Sequence, residues 1–482
     1  MKNRTLFKAT AAFLITLICW SLSNPPGSTH DEWFHLGSTW CADGVDQNHC
    51  TELYTGGGMA KIDSSSCVIA IDTEIRRCAK TTPGDYMVKT DNYPNGFYRS
   101  MNLFVPLGNS INVLSMRIFN GLLAAILLVA QIVLMKPNNR TAWLSGFTLT
   151  LVPMGLFLVS SIHPTGWALT GCAHGWMFMI TALSSDERGK KFRIAAALGW
   201  VLCGIICLAS RYDAFFFYLV ISSITICLIY TPIRRNKLSA KYLVVFFGLV
   251  FTGILALNQP IKTFFSNNPI TPGPGEFENK VWISAWLVRI FAIPIEVLGT
   301  GQIAHRGIEM PSIVWILGVS IVGATLFTSL ININIRQVIT ATFSLVFLFA
   351  VVLWLNDLMY RDLYNLNGRY IIPLMPFMIG LWIHASKSPI QFMEVREFRL
   401  TAITFLGLAH AISLYTVLDV FVDGQSFSLL PISVGDTGWW WVGLPVGPNF
   451  IWLLGSFSFV QFLRKIWSLV PYVEPSSRLA LS

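Results

Sequence analysis

Residues 111–135 read INVLSMRIFNGLLAAILLVAQIVLM, and Lys136 and Arg140 follow. A membrane-crossing helix needs about 20 apolar residues. This run meets that length, places Arg117 near one end and puts its basic flank at the other. The rest of the chain has the same character. Of its 482 residues 54% are hydrophobic and 12% charged, and the mean hydropathy is +0.58. Soluble domains carry about 25% charged residues, so most of this chain faces lipid or other helices. The net charge of +9 does not indicate nucleic acid, because the basic residues sit in short connections between apolar runs, where they report topology.

Working outward, the first apolar run, Leu6 to Leu22, follows Lys2 and Arg4 and holds Lys8 near its start. A signal peptide has a similar outline. No small-x-small cleavage site follows, and Asn24-Pro25-Pro26 breaks the helix, so we read an uncleaved first span. Further spans are expected near 142–162, 166–184, 193–210, 214–231, 242–258, 312–331, 337–356, 370–385, 399–418 and 446–463. The resulting expectation is an all-α polytopic bundle of about twelve transmembrane helices. Its parts are a first span (1–24), a long loop (25–110), a block of spans (111–258), a segment with an interfacial helix near 281–298 (259–311), a second block (312–465) and a tail (466–482). Alternate connections carry Lys136/Arg140, Arg188/Lys190/Lys191/Arg193, Arg234/Arg235/Lys237/Lys241, Arg336, Lys387/Arg396/Arg399 and Arg464/Lys465. All fall on the side of the N-terminus, which the positive-inside rule makes cytoplasmic. The loop 25–110, the segment 259–311 and residues 419–445 then lie outside.

The chain has nine cysteines. Cys19, Cys172, Cys203, Cys207 and Cys227 lie in apolar runs and suit packing. Cys41, Cys50, Cys67 and Cys78 share the long loop, which suggests disulfides in an oxidising compartment. Zinc is the competing reading, but no close CxxC pair supports it.

Ionisable groups at membrane depth are costly and call for a reason. Asp31, Glu32 and His35 follow the first span. Arg117 sits early in the second, His163 ends the third, and Arg211 and Asp213 form the turn after the fifth. Asp357, Arg361, Asp362 and Arg369 join the ninth and tenth. Under this topology every one falls at the outer end of its span, so distant segments supply acids and bases to one face. Span ends also border water, where single charges are common. A helix starting at Asp31 sets Asp31 and His35 one turn apart. That spacing suits a general base, an oxygen ligand for a divalent cation such as Mg or Mn, and an N-cap acid alike. Asn367-Gly368-Arg369-Tyr370 suits phosphate recognition by a planar guanidinium and a snorkelling interfacial Arg beside a belt Tyr. No Walker A loop, no GxGxxG after a strand and no Asp-x-Asp pair is present. An outward-facing enzyme would need a membrane-borne activated donor.

The order Pro26, Asp31-Glu32, His35, Tyr93-Pro94, Tyr98, Met116-Arg117-Ile118, Val152-Pro153-Met154, His163-Pro164-Thr165-Gly166 and Gly368-Arg369-Tyr370 with Pro373 and Pro376 resembles a prokaryotic membrane family, catalogued as domain of unknown function 2142. The resemblance runs over roughly residues 10–420, and it is the order of short motifs that is specific. It implies a GT-C-like fold. It also implies a glycosyltransferase in the plasma membrane that takes a polyprenyl-phosphate sugar and serves an envelope glycan or lipid acceptor, with inversion. The first-loop acid, here Asp31 with Glu32 beside it, would be base or metal ligand. Arg369, with Tyr370, Arg211 and Arg117, would be candidate donor-phosphate ligands, and His163 and Asp213 further site candidates. One departure stands out: Asn-Pro-x-Gly followed by an acid is expected where the chain has His163-Pro164-Thr165-Gly166-Trp167-Ala168. A transporter or flippase of a lipid-linked glycan is the alternative from another class, distinguished by midplane charges and internal repeats. An envelope scaffold is a third.

Overall fold

The computed structural model describes residues 2–29, 31–43, 93–107, 111–184, 189–230, 288, 291–301, 303, 308–331, 333–358, 367–386, 392–422, 441 and 445–470. Among them the architecture is helical. In chain order the helices are α1 (Lys2–Leu22), α2 (Glu32–Trp40), α3 (Asn95–Asn102), α4 (Ile111–Leu134), α5 (Arg140–Leu149), α6 (Leu156–Val159), α7 (Pro164–Leu183), α8 (Lys190–Ser210), α9 (Tyr212–Tyr230), α10 (Ser312–Ser329), α11 (Ile335–Leu358), α12 (Met375–Ala385), α13 (Arg396–Val422) and α14 (Pro448–Trp467). Among the described residues five helices (α1, α4, α8, α10 and α13) are long and apolar enough to cross a membrane, or six if one bent pair counts as a span. This is fewer than the expected twelve. The expected span at 242–258 lies outside the described residues.

Two expected spans take a different form. The run 142–162 is broken: the helix ending at Leu149 and the one beginning at Leu151 meet at 76°. Val152 is extended there (φ −99°, ψ 131°), because Pro153 disfavours a helical residue before it. The run 370–385 is helical only from Met375. A 3-10 turn at Gly368–Tyr370 precedes it, and Pro373 and Pro376 bracket its start.

Lipid tails are as apolar as Leu, so close backbone approach and buried hydrogen bonds hold such helices together. Gly171 and Gly175 lie one turn apart on α7. An added Cβ at Gly171 would sit 2.9 Å from the Cys203 carbonyl of α8, and one at Gly175 would run into the Tyr218 ring of α9. Gly146 of α5 lies as close to α12, where an added Cβ would sit 2.9 Å from the Gly380 nitrogen. Trp20 of α1 donates to His410 Nε2 of α13 at 3.0 Å, and Thr16 meets Ser458 of α14 at 3.1 Å. Cys19, Cys172, Cys203 and Cys207 are buried and free, as expected of packing residues. Cys41 is buried at the end of α2. Cys50, Cys67 and Cys78 lie outside the described residues, and the expected pairing is carried forward as a proposal.

The hydrogen bonds define two ends of the bundle. At one end Arg117, early in α4, donates to the carbonyls of Ser21 in the last turn of α1 and of Asn24 just after it. Asn120 donates to Ser161 at the end of α6. At the other end Arg140 donates to Leu469 and Arg193 to Ala182, while the buried Arg399 donates to Met393, Trp467 and Val470.

Candidate functional site

The first end gathers the residues expected to carry chemistry. Asp31 adopts a left-handed backbone conformation (φ 54°) just before α2, and its side chain makes no capping hydrogen bond. The simple N-cap reading therefore fails. Its carboxylate instead accepts from Arg369 Nη1 at 2.9 Å across 338 positions of sequence. This ion pair keeps some water, with the two side chains 39% and 14% exposed. Glu32, next in the chain, turns the other way. It is fully buried and accepts from Arg117 Nε at 2.9 Å and Nη2 at 2.5 Å. It also accepts from the backbone N–H groups of Gly27 at 3.0 Å and Ile162 at 3.1 Å. Glu32 and Arg117 thus fasten the start of the first loop to α4 and the end of α6. Their charges are consumed by each other, a geometry that suits positioning.

Arg211 follows α8 and Asp213 lies in the first turn of α9. The guanidinium grips the carboxylate with two hydrogen bonds, Nε to Oδ1 at 2.8 Å and Nη2 to Oδ2 at 2.5 Å. Nη1 donates to Thr165 Oγ1 at 2.9 Å. Burial works against the charge on Arg211, and the Asp213 carboxylate more than restores it. Tyr370 stands between two cations: the Arg211 carbon Cζ lies 5.3 Å from its ring centre and that of Arg369 5.0 Å. Both distances are within cation–π range. Arg369 Nη2 also donates to the Tyr370 hydroxyl at 3.1 Å.

Behind this lies an aromatic and imidazole wall. His35 Nδ1 is 2.9 Å from the Tyr98 hydroxyl, and its Nε2 is buried with no hydrogen-bond partner among the described residues. The His163 ring meets the His35 ring edge-on at 4.7 Å, and Tyr93 packs on His35 at 5.5 Å. His163 caps α7, its Nδ1 accepting the Thr165 N–H at 3.0 Å, which puts its own proton on Nε2. Burial, aided by the Arg211 charge, pushes the His35 imidazolium down to about 3. Burial, then His35 and Arg211, pushes His163 down as well. Both rings are neutral at pH 7. Burial raises the Tyr93 and Tyr98 phenols, so they stay protonated. His163 and Thr165 join the site although the turn lacks the expected acid and continues into the buried Trp167 and Ala168.

The turn that presents Arg369 is held from behind. Glu296 is buried and accepts the Gly368 N–H at 2.7 Å. A Cβ on Gly368 would lie 3.0 Å from the Glu296 Cβ and the Val297 nitrogen, a tight approach that glycine eases. From sequence Glu296 has no role beyond its place in the expected interfacial helix near 281–298. Tyr93, Tyr98 and Thr165 appeared only as motif letters. The spacing Tyr93…Tyr98 ahead of a short helix was the signal available. Of the candidates, Asp31, His35, His163, Arg211, Asp213, Arg369 and Tyr370 converge, while Glu32 and Arg117 sit beside them as a closed pair. Asp357 lies in α11, and Arg361 and Asp362 are outside the described residues.

Among the described residues the site's carboxylates are already engaged by cations. Asp31, Glu32 and Asp213 each face a guanidinium. Among the described residues no three His, Cys, Asp or Glu side chains form a metal-sized group. What the arrangement offers is a half-exposed carboxylate, an Arg beside it with reach to an anion, neutral imidazoles and phenolic donors. These are parts for acid–base chemistry on an anionic ligand.

The model of one family, described as "Predicted membrane protein (DUF2142)", matches residues 14–378, about three quarters of the chain and every site residue named above. No curated protein and no solved structure matches the chain.

Proposed function

The chain belongs to the DUF2142 family of predicted membrane proteins, and from that premise and the site geometry we propose that it is a GT-C-type membrane glycosyltransferase. It moves a sugar from a polyprenyl-phosphate donor to an envelope glycan or lipid acceptor. The observation that carries this reading is the meeting of Asp31 and Arg369 at 2.9 Å at one end of the bundle. Sugar transfer from a lipid phosphate needs a base for the acceptor and a cation for the leaving group, and this pair supplies both.

In the proposed step Asp31 takes the proton of the acceptor hydroxyl as that oxygen attacks the anomeric carbon. The bond from the anomeric carbon to the phosphate oxygen breaks, and its electron pair leaves on the phosphate. Arg369 neutralises the charge as it develops, with Tyr370 holding its guanidinium. A single displacement of this kind inverts the anomeric centre. Arg211, gripped by Asp213 and Thr165, sets the field and the position of Tyr370. His35 Nε2, without a partner among the described residues, offers a hydrogen bond to the acceptor. Glu32 and Arg117 position the loop. The reading is metal-independent. It also assigns the plasma membrane of a prokaryote, a cytoplasmic N-terminus, an outer-facing site and disulfides among Cys41, Cys50, Cys67 and Cys78.

The test is a panel of polyprenyl-phosphate sugars offered to the purified protein in nanodiscs. Transfer from at least one donor is expected, with Asp31→Asn slower by about 10²- to 10⁴-fold, the usual worth of a positioned base. Wild-type rates in Asp31→Asn would remove Asp31 as the base. Passage of an intact lipid-linked glycan across a liposome, with no bond broken, would select the transporter alternative.

A further inference from the structure

We infer that the Asp31–Arg369 ion pair is a resting-state lock: the donor's phosphate takes Arg369 away from Asp31, and the base is released only when the leaving group is in place. This deepens the proposed function and rests on it.

The ion pairs at this end differ in kind. Glu32–Arg117 is fully buried and bonded twice, with backbone N–H groups completing it. Arg211–Asp213 is a two-point grip between residues of one turn. Neither can open without leaving a buried charge exposed to the core. Asp31–Arg369 meets through Nη1 and one carboxylate oxygen at 2.9 Å, keeps both partners partly exposed and joins segments far apart in the chain. Arg369 Nε is a donor with no partner among the described residues. Nη1 holds the carboxylate and Nη2 the Tyr370 hydroxyl, so the guanidinium keeps one donor unused. A phosphate that displaces Asp31 takes over Nη1, and its other oxygens compete for the remaining N–H groups. A carboxylate and a phosphate both seek Arg369, so they compete.

The release leaves both groups in position. The backbone at Asp31 is anchored independently of Arg369. Its left-handed turn is fixed on one side by the buried Glu32, and its carbonyl accepts the His35 N–H at 3.0 Å. The Arg369 turn is anchored by Glu296 through Gly368, and Asn367 accepts the Arg369 N–H at 3.2 Å. Both side chains can part while their backbones stay, which is what an exchange of partners requires. The consequence runs against intuition: removing the negative charge that serves catalysis strengthens binding of the donor's head.

Farnesyl monophosphate, a short isoprenyl phosphate, is the probe. It is titrated calorimetrically into the full-length protein in nanodiscs of neutral phosphatidylcholine. Asp31→Asn is expected to bind it about 2- to 5-fold more tightly than wild type, the range for giving up a half-exposed ion pair. Asp31→Ala should do the same, and serves where the amide variant does not fold. Arg369→Gln should weaken binding by about 10-fold or more, and farnesol, which lacks the phosphate, should bind all forms alike. Equal or weaker binding by both Asp31 variants would overturn the lock, and undiminished binding by Arg369→Gln would overturn the phosphate site itself. The two readings fail separately. Tighter binding in Asp31→Asn with no transfer from any donor by wild type keeps the exchange and discards the transferase. Loss of transfer in Asp31→Asn at wild-type affinity keeps the transferase and discards the lock.

Discussion

How a carboxylate contributes to stability depends on the water it keeps. Glu32 keeps none and lies against a guanidinium that is equally dry. Removing one partner strands a buried charge, at a cost of about 3–5 kcal/mol. Glu32→Gln and Arg117→Gln should therefore each lose most of their folded yield and show a sharply lower midpoint of thermal unfolding in detergent. The double variant should recover part of the loss, because no unpaired charge remains. Asp31→Asn sits one residue away and should cost under about 1 kcal/mol, as its pair is partly hydrated. The same comparison separates positioning from catalysis, since only Asp31→Asn should be inactive and well folded. His35 and His163 add a pH signature. Their folded-state pKa values lie below the ordinary value near 6.5, His35 at about 3. The unfolded chain thus binds more protons in the acid range, and stability must rise with pH there. It should be fully present above about 6.5 and fall as pH drops from there toward 3, by at most about 1.4 kcal/mol per pH unit for each ring. Thermal midpoints from pH 8 to 4 check this, and His35→Gln should flatten the acid limb. Chelation is a further check at this scale. With each of Asp31, Glu32 and Asp213 facing a guanidinium, overnight dialysis against EDTA should leave the transfer rate unchanged, and restoration by added Mg would count against the base assignment.

Between residues and the bundle stand the helices, and their contacts are set by what is missing as much as by what is present. At the crossing of α5 and α12 a Cβ on Gly146 would strike the Pro376 carbonyl oxygen and lie 2.9 Å from the Gly380 nitrogen. Neither backbone can yield without parting the helices, so Gly146→Ala should destabilise by about 1–3 kcal/mol. Gly323 of α10 has nothing within 4 Å of the same position. Gly323→Ala should be neutral or better by up to about 1 kcal/mol, through helix propensity alone. Paired unfolding curves for the two variants test the contact. The apolar runs made α1, α4, α8, α10 and α13 legible from sequence, because length and hydropathy are local properties. The break at residues 150–152 was not, since a window average has no direction in it and only Pro153 hinted at the bend. The role of Glu296 was hidden for a different reason. Its partner is a backbone N–H at Gly368, and a pattern of side chains does not encode who receives a main-chain donor. The pairing of Glu32 with Arg117 likewise needed the contact of α1 with α4, whereas the gathering of acids and arginines at alternate span ends followed from counting spans.

Across the whole molecule the two ends of the bundle do different work. At one, Asp31, Arg211, Asp213 and Arg369 surround Tyr370 and the imidazoles. At the other, Arg140, Arg193 and Arg399 donate to main-chain carbonyls at or beside helix ends. Cations near helix C-termini are favourable in their own right, so these arginines stabilise the fold as well as orient it. The positive-inside rule weighs Lys and Arg in short connections, and that second end holds Lys136, Lys190 and Lys191 beside the arginines. It is therefore proposed to lie in the cytosol and the site to face outward, where a lipid-borne donor would be the available activated sugar. Alkaline phosphatase, which folds only outside the cytosol, should be active when inserted within residues 44–92 and inactive within 185–188. A fluorescent protein that matures only inside should show the reverse at the same two places. If the phosphatase were active at 185–188 instead, the site would face the nucleotide-sugar pool. The need for a polyprenyl-phosphate donor would then disappear, although the Asp31–Arg369 pair and its predicted exchange would stand unchanged.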